Sequence, residues 1–336
     1  MPKRHFVIGS AQTIMIAALL ATRHCLRMSA SHQPSVADLR QGVIFIVSAM
    51  LILPGIDAIA KGLSGSISAG EVAWVRHVLQ AIFLFAFALR GGGLRIGSNL
   101  WFHIARGVLL ATVTVVFFAA LSVMPLADAI SIFFVSPLMF TLLSAVFLGE
   151  PIGWRRISAV LVGLAGSSLI VRPSYAAFGA TAFLPIFAAF GFALYMLLTR
   201  KLARGGSVAN AIGMQFYVGV FGALALTPVL LVGSLTDLPF LAVAMPNEAE
   251  WGLLILLGAI ATGGHVLVAL ATRRIGAGQI APFQYVEIVG ATTLGFIFFG
   301  DFPDPLTWVG VVVIVSSGLY VYFREWKLAE GATLSS

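Results

Sequence analysis

Charged residues are scarce in this chain, and their scarcity excludes most classes of soluble protein. Only 10% of the 336 residues are Asp, Glu, Lys or Arg, whereas 60% are hydrophobic, and the mean hydropathy is +1.02. A soluble domain cannot bury apolar runs of this length and frequency. The composition therefore predicts an integral membrane protein.

Cysteine and the common catalytic and nucleotide-binding motifs are also missing. Cys25 is the only cysteine, so no disulfide can form within one chain, and redox chemistry is not expected. The sequence has no CxxC pair, no HExxH zinc motif and no GxxxxGK[ST] phosphate loop. We therefore expect no metal, no cofactor and no ATP-driven transport by this chain.

The formal net charge of +7 arises from basic residues that stand between the apolar runs rather than on one face. This pattern sets membrane topology, so nucleic-acid binding is not expected. Among the 20 Lys and Arg residues, Arg76 and Arg106 lie inside apolar runs, and only Lys61 and Arg172 fall on the predicted outer side. The positive-inside rule then predicts that both termini lie in the cytoplasm.

Ten apolar segments of about 18–25 residues follow a polar and basic start. In lipid, each backbone polar group must be satisfied within its own segment, so an all-α architecture is predicted. Turn-forming residues such as Arg172-Pro-Ser174 are expected in the short connections, and 234–250 is predicted to be a longer surface loop. The predicted segments are 41–60, 70–89, 99–121, 126–148, 154–171, 178–199, 208–233, 251–271, 279–299 and 306–323.

Polar tails are predicted at both ends of the chain. Residues 1–40 are expected to form a cytoplasmic tail, interrupted by an apolar run at 6–22 that is compatible with a signal-like segment or an interfacial helix. Met28 is an alternative natural start of the protein. Residues 324–336 are predicted to form a second cytoplasmic tail.

Residues 126–150 and 277–301 indicate an internal repeat, because each is an apolar helix that ends in glycine and an acid. A proline follows within three residues of Glu150 and of Asp301. Each half of the chain then holds five helices, so the two halves enter the membrane in opposite senses. Inverted repeats are typical of alternating-access transporters. Aligned without a gap, the segments share Val135/Val286, Thr141/Thr292, Leu143/Leu294, Phe147/Phe298 and Gly149/Gly300.

A pattern of small residues, a proline break and Gly-Glu before a further helix runs through Ala127-Asp-Ala129, Ser136-Pro137 and Leu148-Gly-Glu-Pro151. On this pattern the chain resembles the EamA branch of the drug/metabolite transporter superfamily. The resemblance implies ten helices in two inverted five-helix repeats, 41–172 and 178–323, around a central cavity.

Three further motifs resemble a subgroup of bacterial inner-membrane importers of riboflavin and of S-adenosylmethionine. They are Glu71-Val-Ala-Trp-Val-Arg76, His103-Ile-Ala-Arg-Gly107 and Phe134-Val-Ser-Pro-Leu138. The second half departs from the family pattern, because it has Gly300-Asp301 for Gly-Glu and Glu287 where the first half has Ser136. These departures leave the substrate open.

Glu287 is the foremost candidate for a substrate or coupling site, because a charge at the middle of a membrane helix costs roughly 2.5–3.5 kcal/mol. Gln284 and Tyr285 precede it, and Gln284 shares its helix face. Glu287 either lines the cavity, where it binds a substrate donor or carries a proton, or it is a neutral residue that locks two helices together. The first role is favoured.

Arg76 and Arg106 each require a partner or a watery cavity, because arginine stays charged in proteins. Asp57 lies at a depth similar to that of Arg76 and is expected to pair with it. Arg106 lies nearer the inner face, so it either contacts substrate or snorkels to the interface. His77 is a candidate for ligand or proton contact, and Trp74 for stacking on a planar substrate.

Acids at helix ends have simpler expected roles. Asp128 follows Pro125 at the start of a segment and is expected to cap that helix. Glu150 and Asp301 are expected to be turn residues at the membrane interface. The scattered histidines, among them His103 and His265, show no convergent metal-ligand spacing.

These features predict a secondary transporter of a small organic metabolite, with riboflavin uptake as the leading function. An amino-acid or drug exporter and an S-adenosylmethionine transporter of the same family are the alternatives. An enzyme would need a clustered acid/base or metal site, and the sequence offers none. A scaffold protein would tolerate the loss of Glu287 and Arg106. We expect the two halves to rock about a midplane cavity, in a monomer or in a homodimer that uses the fifth and tenth helices.

Overall fold

The computed structural model describes residues 36–89, 99–148, 153–204, 211–236, 238–274 and 281–334. Within these ranges the chain is α-helical and has no strand, which confirms the predicted all-α class. Short 3-10 turns occur at Gly179–Phe183 and Ala281–Tyr285. The α-helices are α1 Val36–Ile52, α2 Pro54–Leu63, α3 Ala69–Leu89, α4 Leu100–Leu121, α5 Leu126–Phe133, α6 Ser136–Leu148, α7 Trp154–Phe178, α8 Leu184–Arg204, α9 Ala211–Gly233, α10 Glu248–Arg274, α11 Val286–Phe299 and α12 Pro305–Leu334.

Seven helical segments of the described residues are long and apolar enough to cross a membrane. Three shorter apolar helices, Ile157–Arg172, Phe283–Phe299 and Pro305–Val321, accompany them. These ten regions overlap the ten apolar segments predicted from the sequence, so the protein is a multi-pass helical membrane protein. That all ten helices cross the bilayer stays a prediction.

Three of the predicted helices are interrupted near a proline. α1 and α2 meet at Leu53, directly before Pro54, and α5 and α6 meet at 134–135, just before Pro137. The predicted segment 279–299 begins as the 3-10 turn Ala281–Tyr285 and continues as α11 from Val286. Proline removes a backbone donor and clashes with the preceding turn, which explains why the chain kinks at these points.

The ring of Phe134 lies against the ring of Tyr285, with centroids 5.5 Å apart and an interplanar angle of 37°. These two residues occupy the same position in the aligned segments 126–150 and 277–301, and each lies at a helix break. In a repeated structure, a residue can touch its own counterpart only close to the axis that relates the two copies. Inverted-repeat transporters place their substrate site near such an axis, at discontinuous helices.

The two halves of the sequence interlock instead of forming two separate bodies. α4 of the first half packs on α8 of the second, and α10 of the second half packs on α1 of the first. α3 packs against α9, and α7 packs along α12. The expected rocking of one sequence half against the other does not fit this packing, because helices of each half are held by the other half.

Several boundaries differ from the sequence-based expectation. Arg172-Pro-Ser174, expected to be a connection, lies inside α7, where the Ser174 hydroxyl donates to the Ile170 carbonyl over 3.0 Å. A hydroxyl can replace part of the backbone bonding that a proline disrupts, so a membrane helix continues through it. α1 begins within the expected tail 1–40, and α12 continues to Leu334 through the expected tail 324–336. The predictions on residues 1–35, including Met28, and on Glu150 lie outside the described residues.

The predicted loop between α9 and α10 is bound to the start of α3. The Gly70 amide donates to the Phe240 carbonyl over 2.9 Å, and the Ala244 amide donates to Oε2 of Glu71, also over 2.9 Å. Leu241 packs its buried side chain against Gly70 and Gly233. The loop therefore lies at the same end of the bundle as the α2–α3 connection.

Candidate functional site

Five ionisable side chains from four helices meet near the helix breaks, and each lies within electrostatic range of at least one of the others. Asp57 lies on α2 one turn after the break at Leu53, and Glu287 is the second residue of α11. The other three members come from α3 and α10. We call this set the central charge cluster: Asp57, Arg76, His77, His265 and Glu287.

Arg76 is buried, and among the described residues its one hydrogen bond is long, from Nη1 to the Thr114 hydroxyl over 3.4 Å. Asp57 lies within electrostatic range, but no carboxylate oxygen comes within 4.0 Å of the guanidinium in the described part of the chain. The expected Asp57–Arg76 pair is therefore not a contact ion pair. A buried guanidinium that lacks a bound anion is available to an anionic ligand.

His77 is fully buried beside Arg76, and a tautomer with its proton on Nδ1 donates to the Ala73 carbonyl over 2.8 Å. Its Nε2 has no partner, so this nitrogen remains an acceptor. The imidazole packs directly on Gly222 of α9, where any side chain would overlap the ring. Close packing of α9 therefore holds one member of the central charge cluster in place.

We expect Gly222→Ala to lower the thermal unfolding midpoint of the detergent-solubilised protein. The added Cβ would displace the His77 ring, and overpacking of this kind costs about 1–3 kcal/mol. Gly263→Ala is the matched control, because Gly263 is also helical and no atom lies within 4 Å of the position that its added methyl group would take. Equal midpoints for the two variants would contradict the close contact between α9 and His77.

Two predicted aromatic candidates are engaged away from the central charge cluster. Trp74 donates from its indole N–H to the Thr227 hydroxyl of α9 over 3.0 Å. Tyr285 lies between the Phe134 ring and Gly318 of α12, with its hydroxyl against the glycine. Gln284 is half-buried in the 3-10 turn that precedes Glu287. The structure thus brings Asp57, Arg76, His77 and Glu287 into electrostatic range of one another. Trp74 and Tyr285 contact other helices, and their predicted role in substrate contact stays a prediction.

Arg106 is only 1% exposed and lies at the centre of a second polar group, which we call the Arg106 network. Its Nε donates to the Thr199 hydroxyl over 2.8 Å, and its Nη2 donates to the Tyr195 hydroxyl over 3.1 Å. The guanidinium also lies over the Tyr195 ring, 5.0 Å from its centroid. The Tyr195 hydroxyl donates to Oε1 of Gln215 over 3.3 Å.

Burial between α4, α8 and α9 excludes the snorkelling that was one expectation for Arg106. The charge has no carboxylate within 4.0 Å among the described residues, and its Nη1 has no partner at all. Neutral hydroxyls orient a guanidinium but do not balance its charge, so the free Nη1 is the atom that a carboxylate or phosphate would meet.

Sequence reasoning missed the residues that orient Arg106. Tyr195 and Thr199 lie in an apolar run of α8 and carry no charge, so nothing in the hydropathy pattern distinguishes them. Their four-residue spacing places both on one face of a helix, which is the single available signal. No group of three or more His, Cys, Asp or Glu side chains with a metal-binding arrangement occurs among the described residues.

The sequence matches the profile of the EamA-like transporter family over residues 40–172 and again over 179–323. One relative, the pseudopaline exporter CntI of Pseudomonas aeruginosa, is 30% identical over 82% of this chain and 94% of its own length. The S-adenosylmethionine uptake transporter of Rickettsia bellii is 28% identical over 81% of this chain and 89% of its own.

A third relative, the riboflavin transporter of Vibrio cholerae, is 26% identical over 89% of this chain and 96% of its own length. A solved crystal structure covers 84% of this chain and 97% of its own, with a TM-score of 0.56 and 19% identity, a likeness that concerns the fold alone. Two matches to one family profile, which together cover most of the chain, identify the family. The chain belongs to the EamA-like transporter family, within the drug/metabolite transporter superfamily.

Proposed function

We propose that this protein is a secondary transporter that moves a charged, amino-acid-like metabolite across the bacterial inner membrane by alternating access. Its family and the names of its relatives support a small-molecule transporter. The finer assignment rests on one observation: two buried arginines and two half-buried acids lie within the helical bundle, and neither guanidinium has a carboxylate within 4.0 Å among the described residues. Arg76 and Arg106 supply the positive charge, and Asp57 and Glu287 supply the negative charge.

Unpaired charges of both signs suit a ligand that itself carries both signs. A carboxylate on the ligand would satisfy Arg106 Nη1 or the Arg76 guanidinium, and an ammonium or sulfonium group would satisfy Asp57 or Glu287. Burying any of these charges without such a partner is costly. The binding of substrate would therefore replace interactions that the protein alone leaves incomplete.

This reasoning favours S-adenosylmethionine over riboflavin, which the sequence motifs placed first. S-adenosylmethionine carries a carboxylate, an ammonium group and a sulfonium group, whereas riboflavin is uncharged. Relatives named for each of the two substrates cover more than four fifths of this chain. An amino-acid exporter fits the same charges. The direction of transport follows from the transmembrane gradients of the substrate and of any coupled ion.

We further propose two inverted repeats, 41–172 and 178–323, with both termini in the cytoplasm. The matched helix breaks at Phe134 and Tyr285 support the repeat, and the distribution of Lys and Arg supports the orientation. α7 and α12 pack together at the periphery of the bundle, so they are the surface through which we propose that a homodimer would form.

The direct test is counterflow in proteoliposomes that hold unlabelled S-adenosylmethionine or unlabelled riboflavin. We expect saturable entry of labelled S-adenosylmethionine that depends on the protein and is unaffected by external riboflavin. Saturable entry of labelled riboflavin instead would support riboflavin transport, the function that the sequence motifs favour. Exchange of neither compound by correctly inserted protein would reject both substrates, and the same assay would then be run with amino acids.

A further inference from the structure

An ion pair joins the two halves of the sequence at the end of the bundle where α2 ends. Nζ of Lys61, in the last turn of α2, lies 3.0 Å from Oδ2 of Asp301, which follows α11. Lys61 also donates to the Met124 carbonyl in the α4–α5 turn and lies 5.2 Å from the centroid of the Phe299 ring. One lysine thus ties together three segments of the bundle.

The backbone holds Asp301 in a fixed position. Gly300 has φ +70°, in the left-handed region that favours glycine. The Gly300 amide donates to the Phe296 carbonyl and the Asp301 amide to the Gly295 carbonyl, each over 3.1 Å. The bond from the Gly300 amide to the Phe296 carbonyl is that of an αL cap, which ends α11 and directs the chain that follows it. The carboxylate is therefore the stationary partner of the pair.

A second acid lies beside the pair, next to the Thr307 side chain. Asp128 of α5 is 8% exposed, and its Oδ1 has no hydrogen-bond partner. It is within electrostatic range of Lys61, Asp301 and Asp304. Pro125, at the cap position of this helix, makes no side-chain hydrogen bond, and the expected capping role of Asp128 stays a prediction. A buried carboxylate that lies next to a lysine, yet forms no ion pair within 4.0 Å among the described residues, requires a reason.

Apolar residues fill the space next to the ion pair. Leu63, Met124 and Leu126 are almost completely buried, and they belong to the main hydrophobic core. The bundle is therefore closely packed next to the ion pair, and Lys61 and Asp301 lie at its rim with 16% and 25% of their side chains exposed. Any opening here must separate α2 from the end of α11, which breaks the ion pair.

We propose that Lys61, Asp301 and Asp128 form an ionic latch in which Lys61 holds this end closed on Asp301 and transfers to Asp128 when the end opens. The latch rests on the proposed alternating-access function. Loss of a partner leaves a partly buried charge unpaired, which is strongly unfavourable, and Asp128 offers a replacement anion. Lysine suits the exchange, because its ammonium is a compact point charge on a flexible stem.

Hydrogen–deuterium exchange of substrate-free protein tests the latch without reference to transport. We expect Asp301→Asn to raise amide exchange in residues 120–128 and 296–301 modestly, because Lys61 retains Asp128. The double variant Asp301→Asn/Asp128→Asn should raise the amide exchange rate in these residues at least tenfold further. Asp128→Asn alone should leave that rate unchanged. Glu248→Gln, which removes an exposed acid at the start of α10 at the same end, is the matched control and should have no effect.

Lys61→Gln removes both ion pairs in one step and should reproduce the double variant, which keeps the test decisive if Asp128→Asn does not fold. The proposal that Lys61 transfers to Asp128 would be overturned if the amide exchange rates of Asp301→Asn equalled those of the double variant. It would also be overturned if they equalled those of Lys61→Gln. In proteoliposomes, Asp128→Asn should slow counterflow several-fold without opening the resting protein. If the exchange pattern holds and no substrate is transported, the latch stands and the proposed function fails.

Discussion

Arg106→Gln is expected to weaken the apparent affinity for a carboxylate-bearing substrate by about 10- to 100-fold. A hydrogen bond to a charged group contributes about 1.5–3 kcal/mol, and each 1.4 kcal/mol is a factor of ten in affinity. In the structure the guanidinium is oriented by Tyr195 and Thr199 while its Nη1 has no partner. The variant removes the charge but keeps a polar side chain of similar length, so the loss should fall on KM more than on the maximal rate.

A substrate methyl ester separates a binding role from a structural one. Esterification removes the carboxylate charge, so it should weaken binding to the parent protein strongly and to Arg106→Gln hardly at all. If Arg106 only supports the fold, the ester penalty will be the same in both proteins. Arg172→Gln is the matched control, because Arg172 is an exposed arginine within α7, and its KM should equal that of the parent.

The second large effect is expected from Glu287→Gln, which should reduce net uptake at least tenfold. Glu287 lies in the first turn of α11, directly after the 3-10 turn, and is within electrostatic range of Asp57. Two acids in one apolar bundle repel each other unless a proton or a cationic ligand is shared between them. The amide can neither bind a cation as an ion pair nor carry a proton, so both proposed roles are removed by one substitution.

Counterflow distinguishes these two roles of Glu287. If the carboxylate carries a proton, Glu287→Gln will lose uptake driven by an imposed pH gradient but will still exchange substrate. If it binds the ammonium group, exchange will fail as well, and a deaminated analogue will bind the variant and the parent equally. Glu248→Gln removes an exposed acid and serves as the control. Uptake by Glu287→Gln at the parent rate would contradict both roles.

The class of the protein and most of its helices followed from the sequence, because hydropathy acts on each segment separately. Every helix from α3 onward overlaps a predicted apolar run, and the predicted Pro137 break is present between α5 and α6. Because a charge in lipid is costly, the sequence alone also identified Glu287, Arg76 and Arg106 as candidate functional residues, without any knowledge of their surroundings. These are local properties, readable from one residue or one window.

Which of these residues meet was decided only by the tertiary structure. Lys61 was assigned to topology and Asp301 to a turn, yet they form an ion pair across the two halves. Tyr195 and Thr199 orient Arg106 although neither carries a charge. Between helices in lipid, association depends on close packing and on hydrogen bonds between individual side chains rather than on hydrophobicity. The relative rotation and depth of two helices therefore determine the partners, and neither quantity is encoded in the hydropathy of a single segment.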